Sequence, residues 1–354
     1  MNSKILKNSV RYFAAANSYS GFVSYFDKEF SSEDYTRLYI IKGGPGTGKS
    51  SFMKKMAETF ENLGCDMEYI HCSSDPKSLD GIKIRKGNKR IAIIDGTSPH
   101  ERDAKIPGAV DEIINLSDNW DSRFLVGQRD KIYDIAKEKS LAYKRAYFYL
   151  SCAGNIDEYI FSIYRQGFDK NEAKIKADSL FDINQGHGAS KITDRLISSF
   201  GKAGYYKLPQ KQDNYFIKIP LSGSHYSGAL FLSLLLETNK YTSDKITCFK
   251  SPLSVGRLEG LELQNGECFV YSSDEGVMNT EEFISISKVD LDMIGRLESY
   301  KKEYEADAVR WFEIASDMHF RLEEIYSAAM DFKKNDMIFD KKLEEIKNIL
   351  EISI

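Results

Sequence analysis

The sequence predicts a mixed α/β protein built on parallel sheets, with the core present twice as two lobes, each followed by a helical arm, and the second copy degenerate. Three observations predict it. Gly43-Gly44-Pro45-Gly46-Thr47-Gly48-Lys49-Ser50 stands between the apolar run Leu38-Tyr39-Ile40-Ile41 and a helical stripe of Phe52, Met53, Met56, Ala57 and Phe60. Arg90-Ile91-Ala92-Ile93-Ile94-Asp95 reads as a buried strand closed by an acid. The first half's pattern returns in the second at an offset of 176 residues, which places His225 on Lys49 and Tyr226 on Ser50. Residues 1–195 are expected to form the first lobe and its arm, and residues 196–354 the second lobe with a C-terminal arm.

The bulk composition points to no special partner. The chain of 354 residues is 42% hydrophobic and 29% charged, with a formal charge of −4, so nothing pulls it globally toward nucleic acid or acidic membranes. Cys65, Cys72, Cys152, Cys248 and Cys268 are scattered and never form a C-x-x-C pair, which argues for a reducing compartment and against structural zinc. No signal peptide forms at the N-terminus, and the most apolar stretch, residues 229–236, is too short to span a bilayer. A cytoplasmic protein without membrane contact is expected.

In chain order, residues 9–27 alternate short apolar pieces around Asn17 and Gly21 and read as a strand or hairpin. The glycine-rich loop then makes a P-loop, or Walker A motif, in its strand–loop–helix setting. Its glycines let successive N–H groups of Gly44, Gly46, Thr47, Gly48, Lys49, Ser50 and Ser51, with Pro45 shaping the turn, face a phosphate at a helix N-terminus. Lys49 adds positive charge there, and Ser50 is the expected Mg²⁺ ligand. The helix over 51–63 ends near Gly64, and Met67-Glu68-Tyr69-Ile70-His71-Cys72 is a second strand. Residues 73–81 are polar and turn-rich. Asp75 or Asp80 could face a terminal phosphate, or each could serve only a cap or turn.

The strand ending at Asp95 has the Walker B pattern, delivering one carboxylate to the Mg²⁺ shell. Many P-loop ATPases place a glutamate next, but here that place is Gly96. Glu101 and His100 are therefore candidate water-positioning groups and Arg102 a candidate phosphate clamp, against the alternative of a plain surface loop. Residues 106–120 are expected to hold a short helix with Val110, Ile113, Ile114 and Leu116 on one face. Residues 124–153 read as a long helix rich in Lys, Arg and aromatics. A packed aromatic face with a solvated charged one is favoured there over single-strand nucleic-acid binding. Further helices are expected to about residue 182, then a loop at 184–188.

In the second half, residues 214–218 match the P-loop strand, while Ile219, Pro220 and Ser222 replace Gly43, Gly44 and Gly46, and Ser272 stands opposite Asp95. Branched side chains and a missing N–H obstruct a phosphate cradle, so no nucleotide is expected there. That lobe is expected to pack on the first, with the arms offering a protein-partner surface.

Lys42-Gly-Gly-Pro-Gly-Thr-Gly-Lys-Ser-Ser51, Cys72-Ser-Ser-Asp-Pro-Lys-Ser-Leu-Asp-Gly81, Asp95-Gly-Thr-Ser-Pro-His100 and Pro107-Gly-Ala-Val-Asp-Glu-Ile-Ile-Asn-Leu116 together resemble a family of uncharacterised bacterial ATPases with tandem P-loop domains. The resemblance implies a duplicated P-loop NTPase-like core, ATP binding and hydrolysis. The expected function is a Mg²⁺-dependent ATPase with Lys49, Asp95, His100 and Glu101 as catalytic candidates. A small-molecule kinase using Arg102 or Lys105 as lid cations, and a nucleotide-sensing adaptor without turnover, are the alternatives.

Overall fold

Short apolar runs bounded by charge favour strands over buried helices, and most of those named above form strands. The computed structural model describes residues 9–180, 191–209, 218–239, 245–263, 268–271 and 278–352. The first half runs β1 (Ser9–Phe13), the hairpin β2 (Ala15–Ser18) and β3 (Gly21–Ser24), a helical turn α1 (Phe26–Glu29), β4 (Arg37–Lys42) and α2 (Lys49–Asn62). β5 (Asp66–His71), β6 (Leu79–Lys86), β7 (Lys89–Asp95) and β8 (Asp111–Asn115) follow. They form a six-stranded mixed sheet ordered β1-β5-β6-β7-β4-β8, in which β6 alone runs antiparallel to its neighbours.

Two expectations are corrected here. The turn after β5 ends by Ser78, because Ile82 and Ile84 alternate with Lys83 and Arg85 and carry residues 79–86 into β6, placing Asp80 and Gly81 on a strand. Residues 111–115 are β8 rather than a helix. The adjacent β-branched Ile113 and Ile114 favour extension, and the segment pairs from Leu38–Asp111 to Lys42–Asn115, satisfying the open edge of β4.

The arm comprises α3 (Ser122–Gly127), α4 (Arg129–Gly167) and α5 (Lys170–Ser179). The second half then has β9 (Lys191–Arg195), the hairpin β10 (Ser198–Gly201) and β11 (Gly204–Lys207), β12 (Lys218–Ser222), α6 (His225–Asn239), β13 (Lys245–Lys250) and β14 (Leu258–Leu263). β15 (Cys268–Tyr271), β16 (Met278–Asn279), α7 (Leu291–Ala329) and α8 (Phe332–Ile349) complete it. The sheet order is β9-β13-β14-β15-β12-β16, and here β14 alone is antiparallel to its neighbours. Residues 184–188, expected as a loop, residues 214–217, expected as strand, and Ser272 lie outside the described residues.

α4 and α7 are 39 residues each and pack antiparallel. Their ends are tied by backbone pairing of Trp120 with Met330 and of Phe168 with Ile284. Small residues at the seam, Ala142, Ala146 and Ala153 on α4 and Ala308 and Ala315 on α7, let the backbones approach. Part of the aromatic content of residues 124–153 is packed, since Tyr143 and Tyr147 meet Phe312 and Arg145 stacks over Trp311 at 4.4 Å, while Phe124, Tyr133 and Phe148 are exposed. No described helix is long and apolar enough to cross a membrane.

The cores do not follow a division at residue 195. β9 belongs to the second sheet, Ala173 and Ala177 of α5 pack in the second core with Phe231 and Leu235, and Ile346 with Leu350 closes the first core over Met53, Met56 and Phe60. Each sheet is covered by the helix that follows the other half's end of the long pair.

Candidate functional site

The strand–loop–helix junction at residues 42–50 fixes the site. β4 lies between two parallel strands and releases the chain at its carboxyl end, where ligands of α/β sheets bind. Gly46 and Gly48 adopt φ of +68° and +90°, a region costly for residues with a Cβ. α2 begins at Lys49, and its first bond closes from Phe52 N–H to Gly48 O, leaving the N–H groups of Lys49, Ser50 and Ser51 at a helix N-terminus. Lys49 Nζ donates to Gly43 O and Gly44 O, each at 2.8 Å, and lies 3.6 Å from Asp95 Oδ2. Thr47 Oγ1 donates to Gly44 O, while Ser50 Oγ accepts Leu79 N–H at 3.0 Å.

Asp95 ends β7 in register with Ile41, beside the loop. Burial raises its pKa above the ordinary value, with Lys49 opposing the shift and Asp80 reinforcing it. Gly96 has a structural reason: a Cβ there would lie 2.3 Å from Ile40 Cγ2, so no glutamate fits at that position. Asp80 and His100 are both buried and lie 3.3 Å apart, with His100 stacked on Phe26 at 3.9 Å. Asp80 Oδ2 and His100 Nδ1 have no hydrogen-bond partner among the described residues.

The other candidates are placed elsewhere. Glu101 is exposed, and among the described residues no hydrogen bond or ion pair joins it to Lys49, Ser50 or Asp95. Arg102 points to Ser32 Oγ at 3.2 Å and Lys105 to Asp27 at 3.3 Å, away from the loop. Asp75 closes its own turn through Lys77 N–H.

What local sequence reasoning missed comes from the far end of the chain. Ser327 Oγ donates to Gly46 O at 2.9 Å and Asn335 Nδ2 to Thr47 O at 2.9 Å, holding two loop carbonyls from α7 and α8. Tyr326 and Trp120 pack against Gly44, and Phe332 against Gly48. Glu323 lies over Gly46 and 3.4 Å from His319. His319 beside it holds the Glu323 carboxyl below its ordinary value, with smaller help from Lys49 and the Gly46 N–H. No protein-family model, curated protein or solved structure matches the chain, so the reading of this site rests on its residues.

The residues fit a hydrated divalent cation better than a bare protein-ligated one. Among the described residues no group of three or more His, Cys, Asp and Glu side chains could hold a metal alone. Asp95 instead lies 3.6 Å from Lys49, at the start of the helix that carries Ser50, and a carboxylate and a hydroxyl so placed suit an Mg²⁺ that keeps several waters and takes phosphate oxygens.

The corresponding junction in the second half is built differently. Leu221 pairs with Tyr271 as Ile41 pairs with Asp95, an offset of 180, whereas α6 starts at an offset of 176 from α2. The connection is therefore four residues shorter, only Gly223 and Ser224, and residues 219–222 continue the strand instead of opening a loop. Glu281 Oε1 accepts Ser224 N–H at 2.7 Å and Ser227 Oγ–H at 2.9 Å, so a carboxylate already sits at the start of α6.

Proposed function

We propose that the chain is a Mg²⁺-dependent, ATP-binding P-loop NTPase with one competent site, in the first lobe, whose nucleotide cycle drives a conformational change. The observation that carries this reading is the β4–α2 junction, where two glycines at positive φ precede a helix-initiating Lys49 that faces the acid ending the adjacent parallel strand. In this reading the N–H groups of residues 46–51 receive phosphate oxygens, and Lys49 exchanges its bonds to Gly43 O and Gly44 O for phosphate. Ser50 and Asp95 hold Mg²⁺, which neutralises phosphate charge when bound. The burial that raises the Asp95 pKa also favours a cation beside it.

The two sheets are read as two copies of one P-loop-like unit, supported by their matching strand order and the single antiparallel strand in each. The shortened second connection and its Glu281 plug support a second lobe without nucleotide.

Equilibrium ATP binding and phosphate release, with and without Mg²⁺, test the reading against Lys49→Ala. The wild type should bind and turn over only with Mg²⁺, and the variant should lose about a hundredfold or more in turnover. Equal behaviour of the two proteins would end this reading.

One cavity favours a small-molecule kinase as the second reading. A space of about 340 Å³ is lined by Arg11, Lys54 and Lys77 against a single carboxylate, Glu58, and shares Leu79 with Ser50. His71 accepts from Arg11 at 3.0 Å, and the guanidinium stacks over Tyr69 at 4.4 Å, which pre-orients it for an anionic acceptor. Phosphorylated acceptor with little free phosphate would favour this second reading.

A further inference from the structure

We propose that the cavity at the elbow between α7 and α8 is a nucleoside pocket, in which Trp120 and Phe332 stack a purine base whose phosphates lie on the glycine-rich loop. The inference rests on the nucleotide reading above and adds where the base goes and which residues hold it.

The direction comes from the sheet. β4 lies between β7 and β8, and the acid beside Lys49, Asp95, stands on β7. With the terminal phosphate and its cation on the β7 side, the rest of a nucleotide extends toward β8. There the chain leaves β8 through a short turn over residues 116–119 and reaches Trp120. α8 packs along the same flank, where Lys342 pairs with Glu112 of β8 and Tyr39 Oη donates to Glu345 at 2.7 Å. Residues 119–121 and 329–334 enclose a cavity of about 690 Å³, within the range of small-molecule sites.

The walls of this cavity touch the loop. A Cβ on Gly44 would lie 3.4 Å from Trp120 Cζ3, and one on Gly48 3.5 Å from Phe332 Cε1. Phe332 nevertheless leaves 45% of its surface open. The cavity is also braced. Asp121 N–H donates to Ala329 O and Asp331 N–H to Asn119 O, both at 2.8 Å. Asn119 Nδ2 donates to Asn335 Oδ1 at 2.8 Å, and Asn335 in turn holds Thr47 O. A pocket tied to the loop in this way needs little ordering when a base enters, and aromatic faces bind any base by stacking.

The second half repeats the elbow without these rings. Asp169 N–H donates to Phe283 O and Ser285 N–H to Gly167 O, both at 2.8 Å, the same two bonds between the corresponding segments. In this pairing Ile284 stands in the place of Trp120 and Lys170 in that of Phe332. Ile284 is buried, Lys170 reaches Glu237 at 3.3 Å, and Phe168, in the place of Met330, packs against the second core. Trp120 and Phe332 thus accompany the glycine-rich loop and have no aromatic counterparts at the connection that Glu281 plugs.

The test compares the affinity of Mg²⁺–ATP with that of Mg²⁺–tripolyphosphate, which has the phosphates and no base, in the wild type, Phe332→Ala and Trp120→Ala. Each variant is expected to bind ATP about tenfold more weakly and to keep the wild-type affinity for tripolyphosphate. Unchanged ATP affinity in Phe332→Ala overturns the proposal, and so does an equal loss for both ligands, which would make the rings supports of the loop. Because the chain has two tryptophans, Trp311→Phe leaves Trp120 as the sole indole reporter without altering the pocket. ATP should quench its fluorescence and tripolyphosphate should not; the same response to both would count against stacking. Wild-type protein that binds tripolyphosphate as tightly as ATP retains the phosphate site and loses the nucleoside pocket. If it binds neither, the nucleotide reading itself fails and takes this inference with it.

Discussion

Gly96 shows how a single residue can mislead when read alone. The place after Asp95 is packed against Ile40, and that contact excludes the glutamate that the sequence motif would lead one to expect there. The substitution Gly96→Glu is therefore expected to cost about 1–3 kcal/mol by overpacking and to add no activity. Urea midpoints and turnover of that variant check this, and higher turnover at an unchanged midpoint would contradict it. The meeting of Lys49 with Asp95 was legible because each stands in a contiguous motif at the end of adjacent parallel strands. Glu101 was not placed, because a loop's direction depends on what it packs against: here His100 and Arg102 turn inward to Phe26 and Ser32 and leave Glu101 in solvent.

At the scale of elements, α8 has two roles that its own sequence does not separate. Ile346 is fully buried in the first core, and Asn335 on the same helix holds Thr47 O. Ile346→Ala is expected to cost about 2–5 kcal/mol, whereas Asn335→Ala should cost about 1 kcal/mol yet weaken ATP binding. Chemical denaturation beside nucleotide titration separates these effects; equal nucleotide affinity in Asn335→Ala and wild type would remove the brace role. β8 carries the opposite lesson. Its five residues permit a helical reading, and only the unpaired edge of β4 decides for a strand. α2 and α4 were legible without such help, since their apolar stripes persist over several turns.

At the scale of the molecule, the two sheets meet at their edge strands. Phe13 N–H donates to Leu196 O at 2.9 Å, and Arg195 reaches from β9 to Glu68 at 3.0 Å, Glu29 at 3.6 Å and the Tyr12 ring at 4.2 Å. Burial alone would raise the Glu68 pKa, but Arg195 and Lys83 outweigh it and lower it from 4.5 to about 2. A depressed carboxylate stabilises the folded state above its unfolded pKa and is lost as the pH falls through the folded one. The Glu68 contribution should thus be whole above about pH 4.5 and vanish toward pH 2. Glu68→Gln should be less stable than wild type near neutrality, with the gap closing across that window. Denaturation series at stepped pH measure it, and a constant gap would assign the stability to packing instead.

The sequence by itself determined the α/β class, the glycine-rich loop with its flanking strand and helix, and the long helices, because each depends on residues close together along the chain. Only the tertiary structure decided that α5 and α8 cover the opposite sheets, that the second connection is too short to form a loop, and that Glu323, Ser327 and Asn335 rest on residues 46–47. These contacts join segments far apart along the chain, and no local pattern encodes them, since they follow from the antiparallel docking of α4 on α7.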